Sequence, residues 1–375
     1  MHLTAPGRRI PRILGLISFL ILCGILYAGL TPFHAPANQI DWVSNANALR
    51  FGRFGTILSS DAFPPGSSGE GNTLEIWMQP AKVNDGDWVA GFYDPKQPRG
   101  FALHQSVSDL ELRIETSVAW RRAKVSQMYL DDAFRDGAAR FWTVASNPSG
   151  TSIYRDGAKV KQSSAFVISN REFSGQLILG TSPIFNEAWP GQIRGLAIYH
   201  RALTDARIAR HFETWTRSGK PELLDEDAGV ALYLFDERAG KVVHNQIAAR
   251  NQLLIPEKYL IVNQTVLDPL WRAFEWSWGF WQDTVINICG FIPVGFFFTA
   301  YLSSRGFGRP AMIAILLASA ISVFIELSQV LLPTRDSSMS DLITNISGSV
   351  IGAALYLGRA GRIMDSLLAR TFRAT

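Results

Sequence analysis

Asp283, Asn287, Glu326, Gln329, Arg335, Asp341 and Asn345 lie inside or beside the apolar segments that end this 375-residue chain. A carboxylate can act as acid or base, a guanidinium can grip an anionic group such as a pyrophosphate, and an amide can orient either. An ionisable side chain within a bilayer costs roughly 2.5–3.5 kcal/mol even on lenient insertion scales, so it is paired, turned toward other helices, or functional. The same residue types can also do no more than hydrogen-bond one helix to the next.

Spacing makes each set coherent. Asp283 and Asn287 are four apart, Asp341 and Asn345 likewise, and Ser322, Glu326 and Gln329 follow at i, i+4 and i+7, so on helices each set shares one face. Gly348 and Gly352 continue the Asn345 face as a small-residue surface that lets helices approach closely, and Gly290 and Gly295 are expected to serve the same packing. No Ser-His pair or metal-ligand cluster accompanies these residues, so no metal or other cofactor is expected in the helices.

The elements that must position them are apolar spans at about 13–30, 284–302, 311–332 and 342–357, each near the ~20 residues that cross a hydrocarbon core. Arg8, Arg9 and Arg12 precede the first, Arg305 and Arg309 fill the loop after the second, and Arg359, Arg362, Arg370 and Arg373 follow the last. By the positive-inside rule both termini are cytoplasmic, and the polar residues meet at one outer depth as a shared pocket with Arg335 as the neighbouring cation. The first span reads as a retained anchor rather than a cleaved signal, because its apolar run exceeds the usual ~7–15 residues of a signal core.

Between the first and second spans the texture changes to short alternating runs broken by Gly, Pro, Asn and Asp, the pattern of an all-β sandwich. Asp156-Gly157 between two such runs is a hairpin signal, and Thr204 is placed to cap a helix through Trp215. Trp88, Trp120 and Trp189 are candidates for stacking on a glycan; Trp77 and Trp142 read as core. Asp85, Asp87 and Asp94 could hold calcium. Glu75 has no second acid on its face of the strand, which speaks against glycoside hydrolysis by paired carboxylates. Just before the second span, Trp271 to Trp281 concentrates aromatic side chains as an interfacial helix would.

Composition excludes other classes. Lys plus Arg is 36 against 32 Asp plus Glu, and no basic run is interleaved with aromatics, so nucleic acid is not an expected partner. The 2 cysteines, Cys23 and Cys289, both sit in apolar runs, which excludes a disulfide framework.

TLEIWMQP at Thr73–Pro80, IYRDGAKV at Ile153–Val160 and GQIRGLAIYHRALTDARIARHF at Gly191–Phe212 resemble the laminin G-like, concanavalin A-like sandwich. One departure is that ALYLFDERAGKVV at Ala231–Val243 looks like the strand that opens such domains, yet follows the rest; either the order is permuted or an extra pair is added late. NICGFIPVG at Asn287–Gly295, SVFIELSQ at Ser322–Gln329, Arg335 and DLITNISGSVIG at Asp341–Gly352 resemble the VanZ-like membrane family, and LTPF at Leu30–Phe33 looks like the end of that family's first helix. The two resemblances together imply a mixed fold, a four-helix transmembrane bundle with a sandwich inserted after its first helix. The expected parts are 1–33 cytoplasmic N-terminus and first helix, 41–257 extracytoplasmic sandwich, 267–282 interfacial segment, 283–358 VanZ-like helices and 359–375 basic cytoplasmic tail.

The VanZ-like resemblance implies a bacterial plasma-membrane protein of the envelope, associated with glycopeptide tolerance or envelope polysaccharide processes, with no settled reaction. The expected partners are membrane lipid and an envelope glycan or protein bound by the sandwich. The alternative is a membrane enzyme acting on a lipid-linked anionic substrate through Glu326, Asp341 and Arg335.

Overall fold

The computed structural model describes residues 9–66, 70–83, 86–97, 99–116, 126–270 and 278–373. The chain divides into two compact units, one made of residues 1–34 together with 265–375 and the other of residues 35–264.

Residues 35–264 form a sandwich of two antiparallel sheets. In chain order the strands are β1 (Ile40–Trp42), β2 (Leu49–Phe51), β3 (Ile57–Phe63), β4 (Asn72–Pro80), β5 (Asp87–Tyr93), β6 (Arg99–Ser106), β7 (Asp109–Thr116), β8 (Ser126–Leu130), β9 (Arg140–Asn147), β10 (Gly150–Arg155), β11 (Ala158–Ser163), β12 (Gly175–Leu179), β13 (Gly191–Tyr199), β14 (Gly229–Tyr233), β15 (Val242–Val243) and β16 (Leu253–Leu254). One sheet runs β1-β2-β13-β4-β9-β10-β11, with β14 also on β13; the other runs β15-β16-β3-β12-β5-β6-β7-β8. The inward faces meet in one core that includes Phe51, Ile76, Trp142, Leu196, Phe92, Leu103, Leu112 and Leu177.

β4 is buried along most of its length instead of alternating. The reason is a helix over Asp205–Ser218 on the outer face, which packs Ile208 and Trp215 against Phe141, Tyr154, Ala197 and Tyr199. The Thr204 side chain caps it by accepting the Arg207 N–H, as its sequence position suggested. β10 and β11 are joined by Asp156 and Gly157, with φ of 52° and 80°; two consecutive positive φ values make the mirror-image turn that matches strand twist, and glycine adopts it without strain. The late strands join both sheets: β14 lies beside the C-terminal half of β13, while β15 and β16 extend the opposite sheet through β3.

The other unit is helical: α1 (Arg9–Leu30), α3 (Trp278–Ser304), α4 (Pro310–Gln329), α5 (Met339–Leu357) and α6 (Arg359–Arg373), with α2 being the Asp205–Ser218 helix of the sandwich. Among the described residues, three helices are long and apolar enough to cross a membrane: α1, α3 and α4. The expectation of four spans is met in part. The 19-residue α5 carries Asp341, Thr344, Asn345, Ser347 and Ser349, and these polar groups take it out of that set. Its polar face is turned inward, with Asn345, Gly348, Ser349 and Gly352 buried. An added Cβ at Gly348 would lie 2.2 Å from the Ile288 carbonyl oxygen, one at Gly352 2.0 Å from that of Ile292, and one at Gly295 2.0 Å from that of Ser349. α3 and α5 therefore touch backbone to backbone. Gly290 does not belong to this contact, since a Cβ there meets only the Ile25 side chain at 3.8 Å.

Candidate functional site

Glu326 stands on the inward face of α4, 1% exposed, and its Oε2 accepts the Ser338 backbone N–H at 2.8 Å. The Ser337 hydroxyl also reaches this carboxylate, and Asp341 is near enough to act on it through space. Asn287 from α3 hydrogen-bonds the Asp341 carboxylate, beside which Asp283 and Asp336 lie. One layer deeper, Asn345 Nδ2 donates to Ser322 Oγ at 3.0 Å. Asn345 is 4% exposed, and its Oδ1 has no hydrogen-bond partner among the described residues. Carboxylates and amides so arranged can accept hydrogen bonds and exchange protons. Among the described residues no group of three or more His, Cys, Asp or Glu could hold a metal ion.

Gln329 and Arg335 turn elsewhere. Gln329 Nε2 donates to the Gly29 carbonyl at 2.9 Å; Arg335 donates to the Thr31 carbonyl at 2.9 and 3.0 Å and to that of Ala28 at 3.2 Å. These oxygens belong to the C-terminal turn of α1 and the residue after it, where carbonyls lack intrahelical donors and a cation complements the helix dipole. The predicted set thus divides into an acidic cluster on α3, α4 and α5 and a pair that caps α1. Sequence reasoning missed Asp268, Asp336, Ser337 and Ser338. Asp268 N–H donates to the Ser337 carbonyl at 2.7 Å and Met339 N–H to the Asp268 carbonyl at 3.0 Å, which fixes the loop ahead of α5. The readable signal was Ser338, whose Oγ accepts the Ser340 N–H as the helix cap. Residues 271–277 of the aromatic segment expected over 267–282 lie outside the described residues, and Trp278 to Trp281 form the first turn of α3.

In the sandwich, the tryptophan assignment is corrected. Trp88 is 2% and Trp189 0% exposed; Trp189 Nε1 donates to Gln105 Oε1 at 2.7 Å, and Trp88 packs edge-on to His104. Neither offers a ring face to a sugar, because the area of an indole is worth most when removed from water and its N–H can be satisfied inside. Trp120 lies outside the described residues. The calcium site is corrected too: Asp87 opens β5 and Asp94 follows its last residue, so about 20 Å of strand separates them. Asp85 lies outside the described residues.

Glu75 is fully buried. It accepts from Tyr199 Oη at 2.8 Å and meets His211 Nδ1 at 3.2 Å; on the other side of the ring, His211 Nε2 lies 3.4 Å from Asp227, which Arg207 Nε also grips at 2.9 Å. Burial pulls the His211 pKa down, but the hydrogen bond and charge of Glu75 and the charge of Asp227 outweigh it, leaving the imidazole above its usual range. This network pins α2 to the sheet. His211 was legible only as one polar residue on an apolar helix face, and nothing in its spacing pointed to Glu75.

Among the described residues, the sandwich surface carries open clefts. One, of about 460 Å³, is lined by Arg53, Phe54, Lys82, Asp87 and Asn186 among others; the second, of about 520 Å³, is lined by Lys96, Gln97, Arg99, Ser169, Arg171 and Glu172.

Comparison with known proteins assigns the two parts. Residues 229–364 match the VanZ/LLP1 family, and residues 55–209 match the concanavalin A-like lectin/glucanases superfamily. The VanZ/LLP1 match begins at Gly229, inside the sandwich, whereas the compact units divide at Gln264; strand pairing of β14 with β13 and β16 with β3 places residues 229–254 physically in the sandwich. No curated protein matches the chain. Similar solved structures include the binding domain of botulinum neurotoxin DC in complex with rat synaptotagmin II, at 13% identity over 48% of this chain and 46% of that one, with a TM-score of 0.34. Another is the ligand-binding domain of botulinum neurotoxin serotype D in complex with N-acetylneuraminic acid, at 12% identity over 48% and 45%, TM-score 0.34. The matched region spans under half the length of those solved chains. The chain therefore carries a VanZ/LLP1 domain and a laminin G-type, concanavalin A-like domain in one polypeptide.

Proposed function

We propose that this is a multi-pass protein of the bacterial plasma membrane whose sandwich is an extracytoplasmic binding module for an envelope glycan or protein. Four spans, α1, α3, α4 and α5, with arginines ahead of α1, between α3 and α4 and after α5, give cytoplasmic termini and an external sandwich under the positive-inside rule. The observation that carries binding over hydrolysis is the burial of Glu75: the strand carboxylate that a glucanase would expose to the scissile bond is sealed under α2 by Tyr199 and His211. The surface clefts, each within the ~300–1,000 Å³ of small-ligand sites, supply places to bind instead. A glycan array probed with the full-length protein in detergent is expected to retain a class of polysaccharide without releasing shorter products. Release of products would return the sandwich to the hydrolases, and an array without any binding would leave it a spacer or protein-docking module.

A second reading is favoured by one observation, the buried and unpartnered Asn345 Oδ1 beneath Glu326 and Asp341. It is a membrane site for the headgroup of a lipid-linked envelope substrate, in which Glu326 or Asp341 exchanges a proton, while Arg335, engaged with the carbonyls at the end of α1, only holds the wall of the site. Glu326→Gln should then abolish an envelope or glycopeptide-tolerance phenotype at normal protein abundance; loss of the folded protein instead would assign the cluster to helix packing.

A further inference from the structure

The second sandwich cleft carries more information than its size. Three cations, Lys96, Arg99 and Arg171, and one carboxylate, Glu172, line it. The carboxylate is fully engaged: Glu172 Oε1 pairs with Arg99 Nε at 3.0 Å, and Oε2 accepts the Ser169 N–H at 2.8 Å, which closes the turn beneath. Asp94, two residues before Lys96 in the chain, is engaged as well, accepting the backbone N–H of Lys96 at 2.8 Å and the Gln97 amide at 3.3 Å. Among the described residues, neither the Lys96 ammonium nor the exposed Arg171 guanidinium has an ion-pair or hydrogen-bond partner. Two uncompensated cations thus line a concavity formed by residues 96, 97 and 99 together with the segment ahead of β12. A concavity of one charge sign focuses the field and raises the local concentration of ions of the opposite sign.

We propose that this cleft is an anion-binding site for an acidic sugar residue of a polysaccharide, with Arg171 and Lys96 gripping the carboxylate and Gln97 and Ser169 placed to meet ring hydroxyls. The proposal rests on the reading of the sandwich as a glycan-binding module and names the ligand class. A guanidinium takes a carboxylate through two parallel hydrogen bonds, and a volume of about 520 Å³ suits one or two sugar rings rather than an extended duplex or a helix. The first cleft is less suited, since Asp87 lines it beside Arg53 and Lys82.

The test uses the full-length protein in detergent micelles against a panel of uronate polymers (polygalacturonate, alginate, hyaluronate), the carboxyl-reduced form of each, and inorganic phosphate. The expected result is that at least one acidic polymer binds, its reduced form binds about tenfold or more weakly, and Lys96→Gln with Arg171→Gln causes a similar loss. The charge-matched pair Arg217→Gln with Lys220→Gln, on the last turn of α2 and the residues after it, should bind as wild type does. Both double variants change exposed side chains, and an unchanged elution volume and circular dichroism spectrum will verify their fold. Equal binding of acidic and reduced polymers, or full binding by the Lys96/Arg171 variant, overturns the proposal and leaves the glycan module intact. Binding of phosphate but of no uronate assigns the cleft to a phosphate source and overturns it too. Failure of every polymer and of phosphate removes both the proposal and the glycan-binding reading.

Discussion

At the scale of the residue, the contact between α3 and α5 admits no side chain at Gly348 or Gly352, where a Cβ would sit 2.2 and 2.0 Å from carbonyl oxygens of the facing helix. Gly352→Ala is expected to cost about 1–3 kcal/mol through forced separation of the helices, whereas Gly290→Ala, with its nearest neighbour at 3.8 Å, is expected to be neutral. Thermal stability of the two variants in one detergent will check this contrast. A second residue, His211, titrates. Its pKa is raised in the fold, so the stability it contributes is complete below about pH 6.5, the unfolded value, and is lost as pH climbs through the raised folded value. The wild-type melting temperature should accordingly fall with rising pH in that window, and the fall should be absent in His211→Gln. His211→Ala, which leaves Glu75 and Asp227 buried beside a void, is expected to cost about 3–5 kcal/mol. The glycines at 295, 348 and 352 were legible because small residues at helical spacing have few uses in a lipid-facing segment. The tryptophans were not, since residue type alone does not say whether an indole is spent in the core or on a ligand.

At the scale of the element, helix spacing was the dependable signal and single-face burial the fallible one. β4 reads as an alternating strand, yet it is covered on both sides, because α2 lies over the face that alternation assigns to water. Likewise the arginines after α5 suggest a solvated tail, whereas residues 359–373 form α6. Met364 and Leu368 pack toward Leu14 and Tyr356, and Ile363 and Leu367, one turn apart, are 60% and 56% exposed, flanked by exposed Arg359 and Arg370. Exposed apolar residues flanked by arginines are the pattern that an amphipathic helix needs to lie in an anionic leaflet. Hydrogen exchange across 359–373 is therefore expected to be slower in nanodiscs containing phosphatidylglycerol than in phosphatidylcholine alone, and Ile363→Ser with Leu367→Ser should erase the difference. Equal exchange in both lipids would falsify this placement.

At the scale of the whole molecule, the helical unit is assembled from two stretches of chain separated by the sandwich, and that insertion was legible from the order of apolar and alternating segments. The orientation proposed from the arginines predicts that a green fluorescent reporter at the C-terminus will fluoresce and an alkaline phosphatase reporter there will be inactive. The reverse pattern would invert the molecule and place the sandwich in the cytoplasm. What the sequence could not supply was the closure of the sandwich: β14 and β16 hold to partners many residues upstream, and such long-range pairings have no local signature.

That closure sets a timetable. β3, at residues 57–63, has no β16 to pair with until residues 253–254 have been synthesised, only a few tens of residues before α3 begins at Trp278. Chains are made from the N-terminus at roughly 5–20 residues per second. The sheet edge at β3 therefore stays open for tens of seconds during synthesis and is sealed just before the next apolar helix emerges. In the order of synthesis, the strand that closes this sheet edge comes just ahead of the second hydrophobic segment.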